Sequence, residues 1–129
     1  MQNYDSVINH WDLSMNLEQF VNFCESLEGV SDEFPFGPDT LVYKVSGKIF
    51  AIVGLDNPEL KVNLKCDPEY ALELRDRFPQ IVPGYHMNKK HWNTVLLEGG
   101  LADRLVKELI LHSYERVKPV ASKRNKNAN

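Results

Sequence analysis

Cysteine is scarce in this sequence, long apolar runs are missing, and charge of each sign is absent from a whole region. The two cysteines among 129 residues, Cys24 and Cys66, fall in segments that read as a helix and a strand, with no CxxC pair. That usage argues against a disulfide framework and for reduced, buried thiols. The longest apolar run, Ile49 to Val53, is far too short to cross a bilayer, so no membrane association is expected. The first residues carry Asp5 and Asp12 without any Lys or Arg, which contradicts the basic start of a secretory signal. Cytosolic residence is the expectation. GxGxxG, GxxxxGK and GxSxG are all missing, which removes support for dinucleotide binding, P-loop phosphate binding and a hydrolase elbow.

What remains is an ordinary soluble composition, 43% hydrophobic and 26% charged. A chain of this length makes one domain, expected to be monomeric, and buries roughly two-thirds of its unfolded surface. The net charge of -3 argues against a strongly basic nucleic-acid binder, but it averages over two unlike halves. Residues 1 to 43 hold eight acids and no Lys or Arg, whereas residues 44 to 129 hold ten acids and fifteen bases. Between Asp76 and Glu98 no acid occurs, while Arg77, Lys89 and Lys90 do. An anionic partner is permitted there.

Periodicity predicts the elements. From Asn16, Leu17, Phe20, Val21, Cys24 and Leu27 recur at helical spacing, with Asn16 and Gln19 as a capping pair and Gly29 as the stop. "DTLVYKV" and "KIFAIVG" are strands joined by Ser46 and Gly47, a two-residue hairpin signal. A short strand within Val30 to Phe36 precedes them. "LKVNLKC" alternates, with Leu60, Val62, Leu64 and Cys66 to one side and Lys61, Asn63 and Lys65 to the other. Asp67 and Pro68 open a second helix that buries Tyr70, Leu74 and Phe78 and pairs Glu73 with Arg77 on its surface. "HWNTVLLEGG" returns as a strand, with Trp92, Thr94 and Leu96 facing one way and Asn93, Val95 and Leu97 the other. The last helix packs Leu105, Val106, Leu109, Ile110, Ser113 and Val117 and stops at Pro119. Residues 119–129 read as a basic disordered tail. The expected class is α+β, an antiparallel sheet covered by helices on one face.

The chemistry concentrates in "GYHMNKKHWNTV", residues 84 to 95. His86 and His91 are five apart, which suits neither a helical metal pair nor a shared strand face, and no metal or cofactor is expected. Hydrogen bonding of both histidines to backbone at a sheet edge is the plainer reading. Ser113, His112 and Asp103 do not make a triad, because neighbours on a helix point about 100° apart. With no acid and base in mutual reach, the protein is read as non-enzymatic.

Positions 86 to 99, H-M-N-K-K-H-W-N-T-V-L-L-E-G, with Leu101, Asp103 and Ser113-Tyr114, resemble the signature of the MmcQ/YjbR family of small bacterial proteins. "MNLEQFVNFCESLEG", "FPFGPDTLVYKVSGKIFAIV" and "VNLKCDPEYALELRDRF" are similar to it too, so the resemblance spans about Met15 to Val117. It implies a CyaY-like fold and a DNA-binding assignment with a double-wing arrangement. It implies no enzyme activity, no cofactor and no agreed site residues. Residues 1–14 depart from the family and read as an N-terminal extension before a domain at 15–118.

The function expected is weak DNA binding through His86, Asn88, Lys89, Lys90, His91, Trp92 and Asn93. The lysines suit phosphate, the asparagines suit phosphate or base edges, and Trp92 suits an unpaired base. The alternative is a protein-interaction or small-ligand module, with an unidentified protein partner, using the same loop.

Overall fold

The computed structural model describes residues 15–118, and Asn16 caps the first helix among them. The expected extension, 1–14, and tail, 119–129, lie outside the described residues. In helix α1 (Leu17–Glu25) the Asn16 carboxamide accepts from Gln19 N–H at 2.8 Å and Gln19 Oε1 accepts from Asn16 N–H at 2.9 Å. This reciprocal pair satisfies two backbone donors that the first turn leaves free.

Strands β1 (Val30–Glu33), β2 (Thr40–Val45), β3 (Lys48–Gly54) and β4 (Lys61–Lys65) follow as an antiparallel meander. Ser46 and Gly47 join β2 to β3 with φ of 52° and 80°, the paired left-handed conformations of a tight hairpin turn. Helix α2 (Pro68–Arg77) starts where the Asp67 carboxylate accepts from Glu69 and Tyr70 N–H, both at 3.1 Å. After it come β5 (Ile81–Pro83), β6 (Trp92–Leu96) and helix α3 (Asp103–Val117). The sheet order is β1-β2-β3-β4-β6-β5, antiparallel throughout. The fold is therefore α+β, as the patterning implied.

The three helices of the described residues pack on one face. Directly opposed residues share a face, so the pairings Tyr43 with Ala51, Ala51 with Leu64 and Val62 with Val95 define the covered side. Phe20 of α1 meets Tyr43 edge-on at 6.4 Å, and Tyr114 of α3 meets Phe50 at 5.6 Å. Ala71 and Leu74 of α2 complete the core. Ser113 is buried on α3 because it closes a gap in the ladder. Its hydroxyl donates to Phe50 O at 2.5 Å and accepts from Lys65 N–H at 2.9 Å, bridging β3 and β4 beyond their last paired residues. The opposite face carries Lys44, Ile52, Lys61, Asn63, Lys65, Trp92, Thr94 and Leu96, and no described helix covers it.

The patterning did not mark β5, since three residues ending in Pro83 make too short a run to show alternation. The short strand expected around Val30 to Phe36 is present as Val30–Glu33, after which Phe34 and Pro35 enter a turn. Two expectations need correction. Arg77 lies over the Phe78 ring, 5.4 Å from its centroid, in place of the expected pair with Glu73. Tyr114 joins the buried face of α3 because its hydroxyl reaches Glu28 O at 2.6 Å. No described helix is long and apolar enough to cross a membrane.

Candidate nucleic-acid interface

Residues 84 to 91 connect β5 to β6 at the sheet edge, and most of their polar groups are spent on holding the connection in shape. Gly84 N–H donates to Trp92 O at 2.9 Å. A Cβ at Gly84 would stand 2.8 Å from Trp92 Cβ, so glycine alone fits this approach. The Asn88 carbonyl accepts from His91 and Trp92 N–H, and its side-chain oxygen accepts from Lys90 N–H at 2.9 Å. Lys89 Nζ donates to Gly84 O at 3.1 Å, across the mouth of the loop.

Arg75 of α2 holds the connection from the other side. Its Nε donates to Asn93 Oδ1 at 2.7 Å, and its Nη2 reaches Lys89 O and, at 3.4 Å, Trp92 O. Tyr85 N–H donates to Thr94 Oγ1 at 3.0 Å, and Thr94 in turn donates to Asn63 Oδ1 at 2.5 Å on the uncovered face. His86 sits at φ 60°, in the left-handed region that few residues other than glycine occupy.

The residues singled out in the sequence therefore divide. Asn93 is 2% exposed and faces α2, away from any partner. Trp92 is 9% exposed, with Lys65 Nζ 5.9 Å from its ring centroid. His91 is half-buried, and its carbonyl accepts from Cys66 N–H at 2.7 Å. Asn88 and Lys89 are exposed but engaged in the turn. His86 and Lys90 remain outward. Beside them is Tyr85, 69% exposed, its ring 4.0 Å from that of His86. Sequence reasoning passed over Tyr85 and Arg75. The signal for the tyrosine was its place after Gly84 in the acid-free interval. For Arg75 there was none, because helical periodicity does not say which loop a helix will reach.

Both thiols are buried, and His112 is engaged within the fold. Burial, reinforced by the neighbouring Asp67, pushes the Cys66 thiol up to about 11, and burial also raises that of Cys24. His112 Nε2 accepts from Asp67 N–H at 3.1 Å, and burial followed by the nearby Arg116 charge lowers its pKa. Among the described residues no three His, Cys, Asp or Glu side chains group to hold a metal ion.

A family model called YjbR matches residues 25–116, from the end of α1 to the last turn of α3. The chain belongs to the YjbR family. Among its relatives, the protein YbdF of Escherichia coli O157:H7 is 40% identical over 96 residues, covering 71% of this chain and 75% of that one. The protein YjbR of Escherichia coli K12 is 30% identical over 102 residues, 79% and 86% of the two chains. The crystal structure of Deinococcus radiodurans protein DR2400, with family-model domain DUF419, matches with a TM-score of 0.75 at 36% identity, over 85% of this chain and 82% of that one. A crystal structure of a Pseudomonas syringae protein matches at 0.71 and 31% identity, over 81% of this chain and all of the other. The matched region of this YjbR-family chain contains the whole sheet, the Arg75 staple and the 84–91 loop.

Proposed function

We propose that this YjbR-family protein binds single-stranded nucleic acid weakly and without reading its sequence, and that it acts by binding and not by catalysis. The observation that carries this reading is Tyr85. An aromatic ring with most of its surface in water has no packing reason to be there, and here it sits on a connection held by Arg75, Lys89, Asn88 and Thr94. Rigid presentation removes the ordering cost that a mobile ring pays on binding. The Tyr85–His86 pair offers a stacking platform, and Lys90, Lys65 and the remaining donors of Lys89 offer phosphate contacts beside it. Three such cations support weak affinity only. The absence of catalysis follows the same logic, since Ser113, His112 and both thiols are committed within the fold.

Titrating a fluorescent oligo-dT and a duplex of equal length by anisotropy, at about 50 and 200 mM salt, tests this. The expected outcome is salt-sensitive binding that favours the single strand, with Tyr85→Ala losing roughly 1 to 3 kcal/mol. Lys90→Ala is expected to flatten the salt slope by about 0.7. Equal affinity of wild type and both variants contradicts the reading.

A protein-interaction role is favoured by a different observation. Phe34 and Phe36, 50% and 66% exposed, sit on the β1–β2 connection, whose Asp39 carbonyl accepts from Leu55 N–H at 2.8 Å. This apolar group lies at the opposite end of the sheet from Tyr85. Loss of partner capture on Phe36→Ser, with oligo-dT binding intact, would select it.

A further inference from the structure

At the far end of β5 from the 84–91 loop, the chain leaves α2 through Phe78 and Gln80 and later enters α3 at Asp103. Between these passages lies a cleft of about 660 Å3, within the roughly 300–1,000 Å3 common for small-molecule sites. Arg77 and Arg104 line it together with Phe78, Leu101 and Leu105. The Arg77 guanidinium is 5.4 Å from the Phe78 ring centroid, so the ring helps hold the cation at the wall. Among the described residues, neither arginine has a carboxylate within ion-pair distance. The acid on the wall, Glu108, accepts from the Tyr70 hydroxyl at 2.8 Å, and Asp103 turns to Lys107 at 3.2 Å on the side of a different groove.

The remaining wall is a built turn. Gln80 Nε2 donates to Gly99 O at 2.7 Å, and a Cβ on Gly99 would stand 2.7 Å from Gln80 Cγ. Gly100 then takes φ 93° to lead into α3. The glycine pair in the turn after β6 thus shapes the cleft. Two guanidinium groups without an ion-pair partner, against the one carboxylate of Glu108, leave the wall net positive above an apolar floor and select a particular chemistry. A bare anion satisfies the charge and wastes the floor, whereas a neutral ring does the reverse.

We propose that this cleft binds a small organic anion, a ring-bearing carboxylate or phosphate whose charge lies between Arg77 and Arg104 and whose body rests on Phe78, Leu101 and Leu105. The site is separate from the Tyr85 surface, and neither reading depends on the other.

The test is a nitrogen-15 chemical-shift titration of the full chain with benzoate, phenyl phosphate, inorganic phosphate and benzyl alcohol. Saturable shifts are expected for benzoate or phenyl phosphate at Phe78 and across Gly99 to Arg104, and whichever saturates at lower concentration identifies the head group. Inorganic phosphate and benzyl alcohol are each expected to bind about tenfold or more weakly. Arg77→Gln and Arg104→Gln are each expected to weaken binding about tenfold, and a thermal melt of each variant reports whether it remains folded. The proposal is overturned if benzyl alcohol binds as well as the anions, if inorganic phosphate binds as well as phenyl phosphate, or if none saturates. Unchanged binding by a folded R77Q/R104Q double variant also overturns it.

Discussion

Replacing Arg75 by methionine keeps the aliphatic length that packs on α2 and deletes every hydrogen bond its guanidinium makes to the β5–β6 connection. Asn93 Oδ1, on a side chain 2% exposed, then loses the 2.7 Å bond from Arg75 Nε, and the amide nitrogen of the same side chain already lacks a protein partner. Beside it lies a cavity of about 10 Å3, room for at most one water. A buried polar group left without a partner costs about 1–3 kcal/mol, and a bond from a charged donor sits in the upper part of that range, so about 2 kcal/mol is expected. For a domain of this size that lowers the melting temperature by on the order of 8 °C. Asn93→Leu alone removes the acceptor but leaves the guanidinium its two backbone carbonyls, and should cost less. The double variant R75M/N93L removes both partners, so it is expected to be more stable than the sum of the single losses by about 1 kcal/mol or more. Chemical denaturation of the four proteins measures this, with amide exchange at Gly84 and Trp92 reporting whether the loop opens. Additive single costs, or a loss below about 0.5 kcal/mol for R75M, refute the staple.

Gly84→Ala should destabilise the fold by about 1–3 kcal/mol in a urea melt, because the added carbon meets Trp92 and Met87 at 2.8 and 3.0 Å. Trp92→Ala should cost roughly 3–5 kcal/mol of stability, measured in the same way, since the side chain is almost wholly buried. Ser113→Ala strands Phe50 O and Lys65 N–H and should cost about 1–3 kcal/mol, whereas a surface serine would cost almost nothing. His112 has a folded pKa below its usual 6.5, so the unfolded chain binds the proton more readily. The stability it lends is present above about pH 6.5 and falls as the pH drops from there toward its folded value. The melting temperature of wild type relative to His112→Gln, followed from pH 7.5 down to pH 4.5, should show that loss.

The fold was legible wherever a local rule determined the geometry. Asn16 with Gln19, Asp67 with Pro68, and Ser46 with Gly47 each complete their bonds within four residues, and β4 shows its two faces through simple alternation. β5 escaped because a three-residue edge strand ending in proline has no periodicity to read. In the candidate site, the alternation along β6 already set Asn93 and Trp92 on opposite faces, but not how deeply each is buried. Asn93 sits on the core face, where Arg75 of α2 reaches it by a long-range bond that no local pattern marks, and Trp92 is nearly as enclosed on the other face. Tyr85 is the converse case, since aromatic residues are usually core and its place after Gly84 in the acid-free interval was the one local hint that this ring stands in water.

A nitrogen-15 chemical-shift map of the protein titrated with oligo-dT at low salt decides whether Tyr85 and its neighbours form the binding surface. Saturable shifts at Tyr85, His86, Lys90 and Lys65, absent in Tyr85→Ala and suppressed by added salt, are the expected result. Shifts confined to the helical face or to the Phe34–Phe36 connection, or no saturable shift at all, would contradict it.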